Sequence, residues 1–158
     1  MGVKLEKLTC GSWMPHKFKM AVSGCPRNCA EATIKDFGVV AVESGWELHI
    51  GGNAGVKIRA TDLLCKVDTD EEVIEYCCAF IQLYREDAHY LERTAPWIER
   101  VGFSSVKQKI VEDANNRKAL FDRFTESQKH AQEDPWAKHT DKDSQREFVT
   151  VERSSVHD

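Results

Sequence analysis

The sequence lacks any apolar run long enough to cross a membrane, and Met1 to Leu8 lack the hydrophobic stretch of a secretory signal. These absences favour a cytoplasmic protein. No internal repeat or heptad pattern is present, which argues against a repeat protein or a coiled coil. Basic residues are too few and too mixed with acids to form a nucleic-acid surface. The 158 residues, 41% hydrophobic and 30% charged, therefore fit a soluble globular protein with one real core.

The six cysteines do not form the pattern of a disulfide framework. Cys77 and Cys78 are adjacent, and their place on an apolar helical stripe favours small buried hydrophobic residues over ligands. Cys25 and Cys29 lie within one turn, and no secretory signal is present. We therefore expect reduced thiols, some of which serve as ligands.

The net charge of −4 conceals an uneven distribution. Residues 15–66 contain seven Lys and Arg against five Asp and Glu, whereas residues 67–158 contain thirteen against twenty. The basic part contains the Cys25–Cys29 motif. An anionic cofactor suits this part of the chain better than nucleic acid does.

The stretch FKMAVSGCPRNCAEA, residues 18–32, places two thiols four residues apart. Phe18 to Val22 alternates like a half-buried strand, and Ser23-Gly24 permits a turn. Pro26 fits the first position of a helix, so we expect a helix from about Pro26 to Asp36 whose positive end favours thiolates. Zinc and 4Fe-4S sites each need four ligands, and no second cysteine pair has suitable spacing. Zinc, thiol redox chemistry and no metal at all remain open on spacing alone.

The next segments have the sequence pattern of a hairpin followed by a glycine-rich loop. Val39–Val42 and Trp46–Ile50 flank the turn Glu43-Ser44-Gly45 and predict antiparallel strands. The loop GGNAG, residues 51–55, allows close approach of a ligand. Lys57 and Arg59 would then project from one face of a strand over residues 56–59 and bind carboxylate or phosphate groups. A plain hairpin loop beside a half-exposed strand is the alternative.

Thr69 and Glu72 form the pattern of a capping box, and the apolar stripe that follows predicts a helix ending near Thr94-Ala95-Pro96. Two shorter helices are expected after the Val101-Gly102 break, the first capped by Ser104 and interrupted at Asn115-Asn116. Residues 137–158 are polar and predict a disordered tail, in which Phe148, Val149 and Val151 suit one short strand.

Four stretches carry a family resemblance: residues 14–42 (MPHKFKMAVSGCPRNCAEATIKDFGVVAV), 47–55 (ELHIGGNAG), 57–67 (KIRATDLLCKV) and 80–102 (FIQLYREDAHYLERTAPWIERVG). They resemble the C-terminal part of the large subunit of assimilatory NAD(P)H-dependent nitrite reductases. Those subunits belong to the sirohaem and 4Fe-4S nitrite/sulfite reductase family. The resemblance extends from about Gly2 to Trp136.

The resemblance implies cofactor ligands on this chain. In that family a C-x5-C pair and a C-x3-C pair hold the cluster, and the last cysteine also bridges to the sirohaem iron. Cys25 thus resembles a cluster ligand, and Cys29 resembles the shared ligand. Arg27 and Asn28 would lie near the sirohaem carboxylates. The loop with Gly51, Gly52 and Asn53 would lie against the macrocycle, and Lys57 and Arg59 suit its carboxylates.

The chain also departs from the family pattern. The C-x5-C pair is missing and is expected just upstream of Met1, as if the chain were a fragment. Cys10 stands where relatives are expected to have an aromatic residue. Domains for FAD and NAD(P)H, and the basic residues that bind the substrate, are not represented. No catalytic residue is assigned.

The resemblance implies an α+β fold, a partial sirohaem domain with a small antiparallel sheet packed with helices. We expect a partial cofactor domain over residues 1–96, with a helix over 70–94, and a helical extension over 97–136.

The function implied is part of an assimilatory nitrite reductase, which reduces nitrite to ammonium by six electrons. The chain alone is expected to be inactive. Whether it binds any cofactor by itself stays open. Expected partners are the upstream part of the subunit and a small subunit, with no nucleic acid and no membrane. Alternatives are a cofactor-free assembly module, a sulfite reductase fragment and a small zinc or thiol-redox protein.

Overall fold

The computed structural model describes residues 1–132. The expected tail and its short strand, residues 137–158, lie outside the described residues. Helix α1 spans Gly2–Thr9, and the strands span Met20–Ser23 (β1), Phe37–Val42 (β2), Gly45–Ile50 (β3) and Asp62–Val67 (β4). Helices α2 to α5 span Asp70–Asp87, Thr94–Val101, Phe103–Lys107 and Ala114–Ala131, and a π-helical turn, Gln108–Glu112, precedes α5. None of the helices in this part of the chain is long and apolar enough to cross a membrane.

The four strands form one sheet in the order β1-β2-β3-β4. The expected hairpin is confirmed, because β2 and β3 pair antiparallel through the turn at Glu43-Ser44. β4 joins β3 antiparallel, whereas β1 and β2 are parallel. The α+β class is therefore confirmed, but the sheet is mixed and not purely antiparallel as expected, because β1 and β2 run in the same direction. Parallel neighbours need a crossover of a dozen or so residues, and residues 24–36, which contain both motif cysteines, form this connection.

The core lies between one face of the sheet and α2. Phe80 of α2 packs on Phe37 of β2 and on Trp97 of α3, with ring centroids 5.8 Å apart in both pairs. Tyr84 packs on Trp97 at 5.5 Å. Large aromatic side chains dominate core energetics, so this cluster fixes α2 and α3 against the sheet. α5 packs along α2, where Arg117 pairs with Glu75 at 2.8 Å.

Asp36 lies at the end of the crossover and is fully buried. Its carboxylate accepts hydrogen bonds from the Lys19 backbone N–H at 2.8 Å, from Arg93 Nη2 at 2.7 Å and from the Thr94 hydroxyl. Its carbonyl accepts the Gly51 N–H at 3.0 Å. A buried carboxylate is stable only when it is paired and hydrogen-bonded. Asp36 thereby joins the start of β1, the start of α3 and the glycine-rich loop.

The capping box at the start of α2 is confirmed. The Glu72 N–H donates to the Thr69 hydroxyl at 3.2 Å, and the Thr69 N–H donates to the Glu72 carboxylate at 3.0 Å. The predicted end near Thr94-Ala95-Pro96 is wrong, since α2 ends at Asp87. Arg100 donates to the Asp87 carbonyl at 3.0 Å and so satisfies a group that the helix leaves free. Pro96 lies in the first turn of α3, where no N–H is needed.

The helix boundaries after residue 101 agree only in part with those predicted from the sequence. The break at Gly102 is confirmed, with φ +86° at that glycine. The expected interruption at Asn115-Asn116 is wrong, because the helical path is interrupted at Asp113, whose side chain accepts the Asn116 N–H at 2.9 Å and caps α5. Gly102, not Ser104, precedes α4. Neither α1 nor β4 was predicted from the sequence.

We expect Glu72→Ala to destabilise the protein by about 1 kcal/mol at pH 7 through loss of the cap. Backbone hydrogen bonds from Thr69 and Asp68 lower the pKa of Glu72 below its ordinary value of 4.5. A lowered pKa means that this contribution is present above about pH 4.5 and is lost as the pH falls through the folded-state pKa. Urea unfolding at pH 7 and at about pH 3 measures the difference. Glu71→Ala, in the same turn, is the control; equal losses in both variants at pH 7 would contradict the cap.

Candidate functional site: the cysteine crossover and the glycine-rich loop

The crossover after β1 begins with a tight turn that exposes both motif cysteines. The Asn28 N–H donates to the Cys25 carbonyl at 3.1 Å, which closes the turn around Pro26 and Arg27. The predicted helix over residues 26–36 is wrong; a single 3-10 turn, Ala32–Ile34, is the only helical part of this segment. Asn28 and Glu31 have φ values of +56° and +54°, which no right-handed helix accommodates. Exposure of the thiols therefore comes from the turn and not from a helix start.

Asn28 holds this turn through its side chain. Its Oδ1 accepts from the Ser23 hydroxyl at 3.0 Å and from the Ala32 N–H at 2.8 Å, and its Nδ2 donates to the Thr33 hydroxyl at 2.8 Å. Asparagine also tolerates the left-handed conformation better than most residues. The amide thus fixes the backbone directly before Cys29. Arg27, beside it, is exposed.

We expect Asn28→Ala to lower the free energy of unfolding by about 2–3 kcal/mol, since hydrogen bonds are lost and alanine is strained at this φ. Asn28→Gly is the matched variant, because glycine loses the same hydrogen bonds without the strain. It should be about 1 kcal/mol more stable than Asn28→Ala. Denaturant titration measures both. Equal stability of the two variants would contradict the left-handed strain, and no loss in either would contradict the role of the amide.

The glycine-rich loop closes on itself, and residues 56–59, which follow it directly, do not form a strand. Asn53 and Arg59 exchange two backbone hydrogen bonds, at 2.9 and 2.8 Å, and the Asn53 amide donates to the Lys57 carbonyl at 2.8 Å. The predicted strand over residues 56–59 is therefore wrong. Val56 and Ile58, expected to alternate as the apolar face, are both largely exposed. The adjacent strand is β4, which starts at Asp62.

Arg59 and Lys57 differ in how far their charges are already paired. Arg59 donates to the Gly51 carbonyl at 2.7 Å and to Asp62 at 2.6 Å, so its guanidinium fastens the loop. Lys57 pairs with Glu99 at 3.0 Å but keeps 80% of its side chain exposed. Lys57 is therefore the more available of the two for an external anion.

The crossover and the glycine-rich loop meet backbone to backbone. The Gly52 N–H donates to the Lys35 carbonyl at 2.8 Å. A Cβ at Gly52 would lie 2.5 Å from the Ile34 carbonyl carbon, so only glycine fits at this contact. The Thr61 N–H also donates to the Thr33 carbonyl at 2.9 Å. The structure thus joins the predicted loop residues to the segment that Asn28 organises.

A cavity of about 130 Å³ lies where these segments meet. Four of its lining residues are basic, and it is lined by Lys17, Lys19, Ile34, Lys35, Asn53, Ala54, Gly55 and Arg93. Lys17 and Lys19 form no ion pair within residues 1–132. These two lysines and Arg93 were not predicted as site residues from the sequence. The alternation of Lys17 and Lys19 around Phe18 was the available signal, because period 2 places both lysines on one face.

Three of the four cysteines outside the motif are poor metal ligands. Burial raises the pKa of the Cys78 thiol to about 12 and the pKa of Cys77 well above its usual value. Both are buried, which confirms their interpretation as packing residues. Burial also raises the pKa of Cys65 to about 11. In the described part of the chain, no three Cys, His, Asp or Glu residues are grouped to hold a metal ion. Cys25 and Cys29 provide two exposed thiols on one turn, half of the four that a 4Fe-4S cluster requires.

The family model described as the nitrite and sulphite reductase 4Fe-4S domain matches residues 3–118. The chain belongs to this family. The match includes the cysteine crossover, the glycine-rich loop and the sheet that positions them. Membership agrees with the resemblance carried by the sequence motifs.

Curated relatives from bacteria are similar over most of this chain. The chain is 54% identical over 136 residues to a nitrite reductase [NAD(P)H] of Bacillus subtilis, covering 86% of this chain and 17% of that protein. It is 44% identical over 115 residues to the nitrite reductase (NADH) large subunit of Escherichia coli, covering 72% and 14%. An assimilatory-type sulfite reductase of Nitratidesulfovibrio vulgaris is 31% identical over 111 residues, covering 70% and 51%. The chain thus spans less than a fifth of the two nitrite reductases.

Proposed function

We propose that this chain is the C-terminal part of a sirohaem-dependent nitrite reductase and contributes half of its 4Fe-4S site. The observation that carries the proposal is the exposed Cys25–Cys29 turn in a member of the 4Fe-4S domain family. Cys25 would hold the cluster, and Cys29 would be shared between cluster and sirohaem. The upstream part of the same subunit would supply the two remaining thiolates and bind FAD and NAD(P)H.

The donor set fits this role in part. The two thiols lie on a turn that the Asn28 side chain fixes, and preorganisation of this kind supports metal sites. When bound, the cofactors would supply the six-electron chemistry that converts nitrite to ammonium. In the described part of the chain no three Cys, His, Asp or Glu residues are grouped to hold a metal ion, so the isolated chain is not expected to hold a complete cluster.

Anion binding is the second contribution that we propose. Sirohaem carries many carboxylates, and nitrite is itself an anion. The basic cavity beside Gly52 and Asn53 contains Lys17 and Lys19, whose charges are not compensated within residues 1–132. Arg93 is already paired with Asp36. It therefore shapes the wall of the cavity and is less available to an external anion than the two lysines are. Exposed Lys57 lies on the same loop.

Nitrite is favoured over sulfite as the substrate because identity to the nitrite reductase of B. subtilis is 54%, against 31% to the sulfite reductase. The test is a chimera in which this chain replaces the matching segment of the B. subtilis enzyme. We expect NAD(P)H-dependent nitrite reduction by the chimera and none by the isolated chain supplied with iron, sulfide, sirohaem and a chemical donor. A folded chimera that loads its cofactors but reduces sulfite and not nitrite would contradict the assignment.

A small subunit is the further partner that we propose for the assembled enzyme. A cofactor-free assembly role would predict the opposite result in the chimera. The folded protein would then contain no sirohaem, and the melting temperature of the isolated chain would not respond to iron, zinc or sirohaem.

A further inference from the structure

Among the described residues, the outer edge of β1 is open. In the sheet that residues 1–132 form, β1 is the terminal strand and pairs only with β2. Since the Phe37 N–H donates to the Lys19 carbonyl, and alternate residues face the same neighbour, the backbone groups of Met20 and Val22 point away from β2. Within residues 1–132 these outward N–H and C=O groups have no backbone partner. Such an edge is a template for another strand.

A largely apolar groove runs beside this edge. It has a volume of about 330 Å³ and lies between α1 and β1. It is lined by Gly2, Leu5, Glu6, Thr9, Cys10, Met20, Ala21 and Val22. Cys10, on the α1 side, is exposed and reduced. An added strand would pair with β1 and cover α1 at the same time.

The end of α5 lies against α1. Gln132 Nε2 donates to the Lys7 carbonyl at 2.8 Å, and Gln128 Nε2 donates to the Leu8 carbonyl at 2.7 Å. Gly11 packs on the Ala131 carbonyl, where a Cβ would come within 2.7 Å. The chain that follows Gln132 therefore starts next to the helix that forms one wall of the groove.

The sequence after Gln132 contains one run with the pattern of a strand, EFVTVE at residues 147–152. We propose that this segment binds the groove as an additional strand on the free edge of β1. Phe148, Val149, Thr150 and Val151 are good strand formers, and Val149 and Val151 share one face. The fifteen residues between Gln132 and Phe148 could span up to about 50 Å, so the linker is long enough. The proposal does not depend on the cofactor assignment.

Amide hydrogen exchange tests the pairing directly. In the full 158-residue chain we expect the Met20 and Val22 amides to exchange at least about tenfold more slowly than in a chain ending at Thr140. The Ala21 amide, which faces β2, is the internal control and should change little. A Phe148→Asp/Val149→Asp double variant of the full chain should behave like the truncated chain. If Met20 and Val22 exchange equally fast in all three proteins, the proposal is overturned.

A cross-link identifies the occupant. Val149→Cys should form an intramolecular disulfide with Cys10 under mild oxidation, located by peptide mass mapping, at several times the yield obtained with Thr140→Cys. Equal yields, or preferred pairing with Cys25 or Cys29, would contradict docking in the groove. If Cys10 and the thiol introduced by Val149→Cys are joined only in covalent dimers, a second copy occupies the edge, and the intrachain proposal is also overturned.

Discussion

Replacement of Asp36 by alanine is expected to lower the free energy of unfolding by about 3–5 kcal/mol. The carboxylate is fully buried and is the ion-pair partner of Arg93, whose side chain is only 21% exposed. Removing it leaves a guanidinium, a hydroxyl and a backbone N–H without their acceptor. The cost is high because desolvated groups lose a partner that water cannot fully replace.

Urea unfolding of the Asp36→Ala variant measures this loss, which should also lower the melting temperature by roughly 10 °C. Asp70→Ala is the matched control. Asp70 pairs with Lys4 at 2.8 Å on the surface, and an exposed pair of this kind contributes little to stability because water and salt screen it. A loss for Asp36→Ala no larger than that of the control would show that the buried network does not hold these segments together.

The largest functional effect is expected for Cys29→Ser in the chimera with the B. subtilis enzyme. If Cys29 is shared by cluster and sirohaem, its loss disrupts both centres. We expect nitrite reduction to fall at least about a hundredfold, with iron and sirohaem content reduced together. Cys25→Ser should lose the cluster as well.

Cys10→Ser provides the control for Cys29→Ser, because Cys10 is also exposed but lies in the α1–β1 groove. Its chimera should retain full iron content and activity. A Cys29→Ser chimera that keeps its sirohaem and its activity would remove the basis for assigning this cysteine as a ligand.

Elements with strong local signals were predictable from the sequence. The β2–β3 hairpin followed from alternating residues around Glu43-Ser44-Gly45, and the start of α2 followed from Thr69 and Glu72. In both cases the residues that specify the element are close together in sequence. The end of α2 was not predictable in the same way, since it depends on Arg100, which binds the Asp87 carbonyl from the next helix.

The cysteine crossover shows why the helix prediction failed. Pro26 is compatible with a helix start, but it is equally compatible with a turn. The Asn28 side chain selects the turn over the helix through hydrogen bonds to residues nearby in sequence, Ser23, Ala32 and Thr33. Its backbone is left-handed, and no periodicity in the sequence indicates that conformation. The consequence for the site is that positive charge near the thiols cannot be ascribed to a helix dipole.

The sequence correctly predicted a loop at residues 51–55, but the strand predicted over residues 56–59 was wrong. The alternation of Val56, Lys57, Ile58 and Arg59 suggested a strand, whereas Asn53 closes this stretch into a loop. Arg59 then turns inward to Asp62, a partner only three residues away that competes with any external anion. The basic cavity with Lys17 and Arg93 joins residues far apart in sequence, so it depends on the sheet and on Asp36.

The most direct test of the central claim is an anomalous difference map at the iron absorption edge, from crystals of the chimeric nitrite reductase that contains this chain. We predict iron within bonding distance of the sulfur atoms of both Cys25 and Cys29, with the glycine-rich loop against the macrocycle. Iron bound by other residues, with neither of these sulfurs coordinated, would contradict it.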